Sequence, residues 1–150
     1  MNWLYASRST SLAILCLLWV GSATARAQAK DKVIKPDPQA VATAQGLLAM
    51  LDKANFTRAH QTLTARVKVG GPVAEQQWVA FLKTRRAPLG QVISRTLFRA
   101  RFNTSIASGP DGNYEFLDYK TKFARKAQCL EVVTLTKETG HWEVSGYHIR

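Results

Sequence analysis

QVISRTLFRARFNTSIASGPDGNYEFLDYKTKF, residues 91–123, sets the architecture. Residues 91–103 and 114–123 carry β-branched and aromatic side chains at a two-residue period. Between them, Gly109-Pro110-Asp111-Gly112-Asn113 is a strong turn, and its Asp-Gly pair predicts a positive backbone angle at Gly112. The stretch therefore reads as a hairpin. The same period continues over 128–137, the chain turns at Glu138-Thr139-Gly140, and a last strand covers 141–149. Upstream the period is helical. Asp37-Pro38 opens a first helix, Asp as cap and Pro at the first helical position. Val41, Ala44, Leu48, Leu51 and Ala54 then form an apolar stripe. Asn55 breaks it, and Phe56, Ala59 and Leu63 suggest a second short helix. Gly70-Gly71-Pro72 interrupts the chain again, and a third helix over 74–86 carries Trp78, Phe81 and Leu82. Helices followed by a meander of strands predict an α+β domain. Its N-terminal helices pack on one face of a curved four-stranded antiparallel sheet.

The other end of the chain speaks of export. Arg8 is followed by the apolar run Leu12–Val20, Gly21 and Ser22 end it, and Ala27-Gln28-Ala29 has the small-x-small pattern of a cleavage site. Ala23-Thr24-Ala25 is a second candidate. The run is short for a membrane anchor, so no stable membrane span is expected after cleavage. The expected organisation is a signal peptide over 1–29, a flexible leader over 30–36 and a single domain over 37–150, placed in the periplasm or secreted. Cleavage removes Arg8 and Arg26 and no acid, so the net charge falls from +11 to +9. Such an excess fits either an anionic partner or simple solubility. Cys129 is the one thiol left; with no second cysteine it forms no internal disulfide, and its apolar strand predicts burial.

Gln77-Trp78, Arg86-Ala87-Pro88-Leu89-Gly90 and Ser94-Arg95 form an ordered set with Gly109-Pro110-Asp111-Gly112, Tyr114, Phe123-Ala124, Glu131 and Trp142–Tyr147. The set resembles an uncharacterised bacterial family, domain-of-unknown-function family 4019, over roughly Val41 to Arg150. The resemblance implies a cystatin-like or nuclear-transport-factor-like cone of helices on a curved sheet. It implies no activity, because that plan hosts enzymes, ligand pockets and dimerisation modules alike.

Strand parity identifies a candidate binding face. Pairing Phe102 with Tyr119 brings the apolar sets of the hairpin together. A tight turn at Ala124–Ala127 places Glu131 beside Lys120, and closing the chain around Glu138–Gly140 places Tyr147 beside Glu131. The core face would carry Val92, Ser94, Thr96, Phe98, Ala100 and Phe102, with Leu130, Val132, Trp142 and Val144. The opposite face would carry Arg95, Arg99, Arg101, Lys120, Lys122, Glu131 and Tyr147. A one-residue slip would reverse any of these assignments. Such a face suits an anionic envelope component or a protein partner, and it suits equally a solvated surface with a local ion pair. Phe116, Val133 and Leu135 on the same side would suit a homodimer. No nucleophile elbow, zinc-protease motif, Walker loop or dinucleotide loop is present, and no cofactor is implied. His60, His141 and His148 are scattered. Export makes nucleic acid an unexpected partner. The leading expectation is a non-catalytic binding module; the alternatives are a small-pocket enzyme and a structural homodimer. An inward-facing carboxylate in a deep pocket would favour the enzyme.

Overall fold

The computed structural model describes residues 31–106 and 109–150; the expected signal peptide lies outside them. Strand β1 (Lys32–Ile34) precedes three helices, α1 (Pro38–Asp52), α2 (Phe56–Gln61) and α3 (Pro72–Arg85). A short 3-10 turn (Ala87–Leu89) leads into β2 (Val92–Asn103), β3 (Tyr114–Phe123), β4 (Lys126–Thr136) and β5 (Glu143–Ile149). The strands make one antiparallel meander in chain order. Among the described residues the sheet has five strands rather than the expected four. Lys32–Ile34, read as part of a flexible leader, pairs along β2 with Phe102, Arg101 and Ala100. Three residues, the first a lysine and followed by another, leave too short a pattern to read as a strand.

Helix α1 is fixed at its start by Asp37. Its Oδ1 accepts the Gln39 N–H at 2.8 Å, its Oδ2 accepts the Trp142 indole N–H at 2.8 Å, and its own N–H donates to Glu115 Oε1 at 3.0 Å. One cap therefore ties the helix to the starts of β3 and β5. The Trp142 hydrogen bond, with help from the Gln39 N–H, holds the Asp37 carboxyl below its ordinary value. Burial pushes that of Glu115 up. The apolar face of α1, Ala40, Ala44, Leu47, Leu48 and Leu51, is buried in one core with Leu117, Val133, Leu135 and Val144 of the sheet. Each leucine so buried contributes about 1.5–3 kcal/mol. After α2 the Thr64 N–H donates to Val144 O at 2.9 Å, fastening the chain to β5. Only Leu82 of α3 is fully buried.

Irregularities in the ladders decide which side chains face the helices. β2 shifts register between Val92 and Ser94 and again between Leu97 and Arg99, and the β4–β5 ladder shifts between Thr134 and Leu135. Tyr119 pairs with Leu97, and Phe102 with Glu115. Glu131 pairs with Tyr119, not Lys120, and Tyr147 with Val133, not Glu131. Each extra residue reverses the alternation beyond it. Arg95 and Leu97 consequently face the helices, whereas Ser94, Thr96 and Phe98 do not. In β4 the buried set is Glu131, Val133 and Leu135, and Leu130 and Val132 are only half-buried on the outer face. The expected inner set of Leu130 and Val132 is thereby overturned; both alternating sets of this strand are apolar, so hydrophobicity alone could not choose.

The 109–113 turn also differs from expectation. Positive angles occur at Gly70, Gly71, Gly90 and Gly140 and at Ala54, and not at Gly112. The Gly112 N–H donates to Thr104 O at 2.8 Å and the Tyr114 hydroxyl to Pro110 O at 2.9 Å, so hydrogen bonds hold this turn without a left-handed residue. Gly90 is the demanding position. Its φ of +79° comes with ψ of −159°, and an added Cβ would lie 3.4 Å from that of Ala124. Gly90→Ala should cost about 1–3 kcal/mol, and Gly112→Ala no more than about 0.5 kcal/mol, measured by urea unfolding. The opposite order would show that the strain lies in the hairpin turn.

Candidate functional site

The inner face of the sheet is organised around Glu131, whose side chain is 0% exposed. Its Oε2 accepts from Arg95 Nε at 2.7 Å and from the Thr121 hydroxyl at 2.6 Å, and its Oε1 from the Tyr147 hydroxyl at 2.7 Å. Arg86 Nε lies 3.6 Å from Oε1. Arg95 continues outward, donating through both terminal nitrogens to the two oxygens of Asp52 at 2.9 Å each. Arg86 donates to the same carboxylate and lies over the Phe123 ring at 4.8 Å. Two guanidinium groups and two carboxylates thus cancel in charge. Burial works against the charge of Arg95, but Asp52 and Glu131 more than offset it and raise its pKa further. Burial, then the charge of Glu131, pushes the Tyr147 hydroxyl far above its ordinary value. Glu131 is an inward-facing carboxylate, the feature that would favour an enzyme. Its oxygens are buried and already accept three hydrogen bonds, so it serves as an anchor and offers no exposed base.

The seven residues read from sequence as one face are divided. Arg95, Glu131 and Tyr147 belong to this inner network. Arg99 and Arg101 lie on the outer face, where both bind Asp118, whose side chain is 0% exposed: Arg99 Nε at 2.6 Å and Arg101 NH2 at 2.9 Å. Arg101 also binds Asp31 and lies over Phe116. Two arginines against two carboxylates leave that patch near neutral. Lys120 and Lys122 remain exposed on the outer face, and among the described residues neither pairs with a carboxylate. Their partners across the ladder are Thr96 and Ser94. Lys120 Nζ lies 4.8 Å from the centre of the Phe98 ring, which the bulge leaves 42% exposed.

Arg86 and Asp118 were not singled out as site residues. Their burial depends on partners far away in the chain. One signal did exist: Arg86, Arg95, Glu131 and Tyr147 all belong to the ordered set that carries the family resemblance, and all four meet here. Among the described residues no three His, Cys, Asp or Glu converge to hold a metal ion. Cys129 is buried, as its strand predicted, and burial pushes its thiol up. His60 is buried against Trp78, with Nδ1 3.7 Å from Glu75, and His148 is exposed.

Two depressions flank the sheet. A groove of about 800 Å³ on the outer side is lined by Ser94, Thr96, Phe98, Lys120, Lys122 and Leu130, among others. A cleft of about 300 Å³ opens between α1 and the inner side, among Leu48, Ala49, Asp52, Arg95, Leu97 and Tyr119.

A family model described as "Protein of unknown function (DUF4019)" matches residues 43–147. No curated protein and no solved structure matches the chain.

Removing the charge of Glu131 would leave Arg95 and Arg86 facing a neutral group in the interior. Glu131→Gln should destabilise by about 3–5 kcal/mol. Glu138→Gln, which breaks the exposed 3.7 Å pair with Arg66, should cost less than about 1 kcal/mol. Similar denaturation midpoints for the two variants would remove Glu131 from its central place.

Proposed function

This chain belongs to the DUF4019 family, and we propose that it is an exported, non-catalytic binding module that holds an anionic component of the cell envelope on its outer sheet face. One observation carries the reading. On a sheet whose arginines are matched by carboxylates, Lys120 and Lys122 stand exposed without one, beside the hydroxyls of Thr96 and Ser94. Ammonium and hydroxyl groups are all donors, and phosphate or carboxylate oxygens accept from them. Phe98 gives the groove an exposed ring that also attracts the Lys120 ammonium. Like charges on one face disfavour a second copy of the chain seated there, so the homodimer is the weaker alternative. The saturation of Glu131 speaks for binding over catalysis. The apolar run and the Ala27-Gln28-Ala29 pattern support export.

Lys120→Ser with Lys122→Ser should greatly reduce sedimentation with vesicles containing anionic phospholipid. The charge-matched pair Lys53→Ser with Lys83→Ser, at exposed positions just past α1 and within α3, should reduce it little. Retention by the unmodified chain should fall as salt screens exposed charges over about 10 Å. Equal losses in both pairs would mean diffuse attraction and no site. N-terminal sequencing of the protein from envelope fractions should begin at Lys30, or at Arg26 if the earlier site is cut; full-length protein confined to the cytoplasm would remove the proposed location.

A further inference from the structure

The cleft beneath α1 has a chemistry unlike that of the outer groove. Its walls are mostly apolar, supplied by Val41, Leu48 and Ala49 of the helix and Leu97 of β2, with the exposed Gln45 at the rim. Its polar end is Asp52 with Arg95. Asp52 is 32% exposed; its Oδ1 accepts from both arginines, but its Oδ2 accepts only from Arg95 and keeps room for another donor. Arg95 commits three of its five N–H groups to carboxylates. Tyr119 forms part of the lining and is 4% exposed, yet its hydroxyl has no hydrogen-bond partner. Burial pushes that hydroxyl up to about 12, so at neutral pH it remains a donor. A buried hydroxyl without a partner is a standing cost that an oxygen placed beside it would relieve.

We infer that this cleft binds a small uncharged molecule with an apolar body and at least one hydroxyl group. The charges of Arg86, Arg95, Asp52 and Glu131 sum to zero, so the polar end selects for neither anion nor cation. A hydroxyl both accepts, from Tyr119 or Arg95, and donates, to Asp52 Oδ2, and the Gln45 amide at the rim can meet it in either role. The apolar walls take the rest of the molecule, and about 300 Å³ is at the small end of ligand pockets. The sheet then separates two recognition chemistries, anionic groups outside and neutral hydroxylated ones inside.

Benzyl alcohol and toluene, which differ by a hydroxymethyl against a methyl group, are suitable probes for ligand-observed NMR with the full chain. Benzyl alcohol should bind with a dissociation constant on the order of 1 mM, set by its few atoms, and toluene should bind more weakly. Tyr119→Phe should weaken benzyl alcohol by about five-fold, the worth of one hydrogen bond. It should leave toluene unchanged and the melting temperature equal or higher, where a purely structural hydroxyl would lower it. Ala49→Trp, at an exposed helix position, should fill the cleft and abolish binding of both probes. Lys120→Ser with Lys122→Ser, and added salt, should alter neither. Equal affinity for the two probes, or binding that survives Ala49→Trp, would overturn the inference.

Discussion

A carboxylate with no exposure to solvent has to be matched by charge and hydrogen bonds or it destabilises everything around it. Glu131 is matched from four directions, by Arg95 on β2, Thr121 on β3, Tyr147 on β5 and Arg86 at the end of α3. Through Asp52 the same arginines reach the end of α1. Hydrophobic burial supplies most of the stability of such a domain, but it is non-directional. The Glu131 network adds direction. It admits one register of four strands and one placement of two helix ends, because any other would leave an arginine or a carboxylate unpaired in the interior.

Much of the fold was legible because it rests on local chemistry. Asp37-Pro38 opens α1 as its capping geometry requires, Gly70-Gly71 precedes α3, which starts on Pro72, and the four longer strands lie within two residues of their predicted bounds. What escaped was non-local. β1 exists only because the edge of β2 is there to receive it. The bulges of β2 carry no marker: Ile93 and Phe98 look like any other strand residues. Glu131 is expected outside because a tight turn at 124–127 would pair it with Lys120; it pairs instead with Tyr119, and its two arginine partners lie 36 and 45 positions away.

Those bulges also sort the positive charge. Without the break near Phe98, Arg95 and Arg99 would share a side. With it, Arg95 enters the interior network while Arg99 and Arg101 meet Asp118 outside. The candidate site was therefore half legible. The residue types and the basic strand pair were readable, but their division between inner and outer faces depended on two inserted residues. The surviving charge at Lys120 and Lys122 is smaller than the sequence suggested and more localised.

The cap of α1 has a consequence for the order in which the chain can fold. Asp37 closes on Trp142, 105 residues later, and on Glu115, and the Glu131 network needs β5 in place. The helices emerge first from the ribosome but cannot complete either arrangement alone. Contacts so far apart in sequence carry a loop-closure cost that the helices' local contacts do not. Both arrangements wait for residues 142–149, so they close only after the last strand has been made.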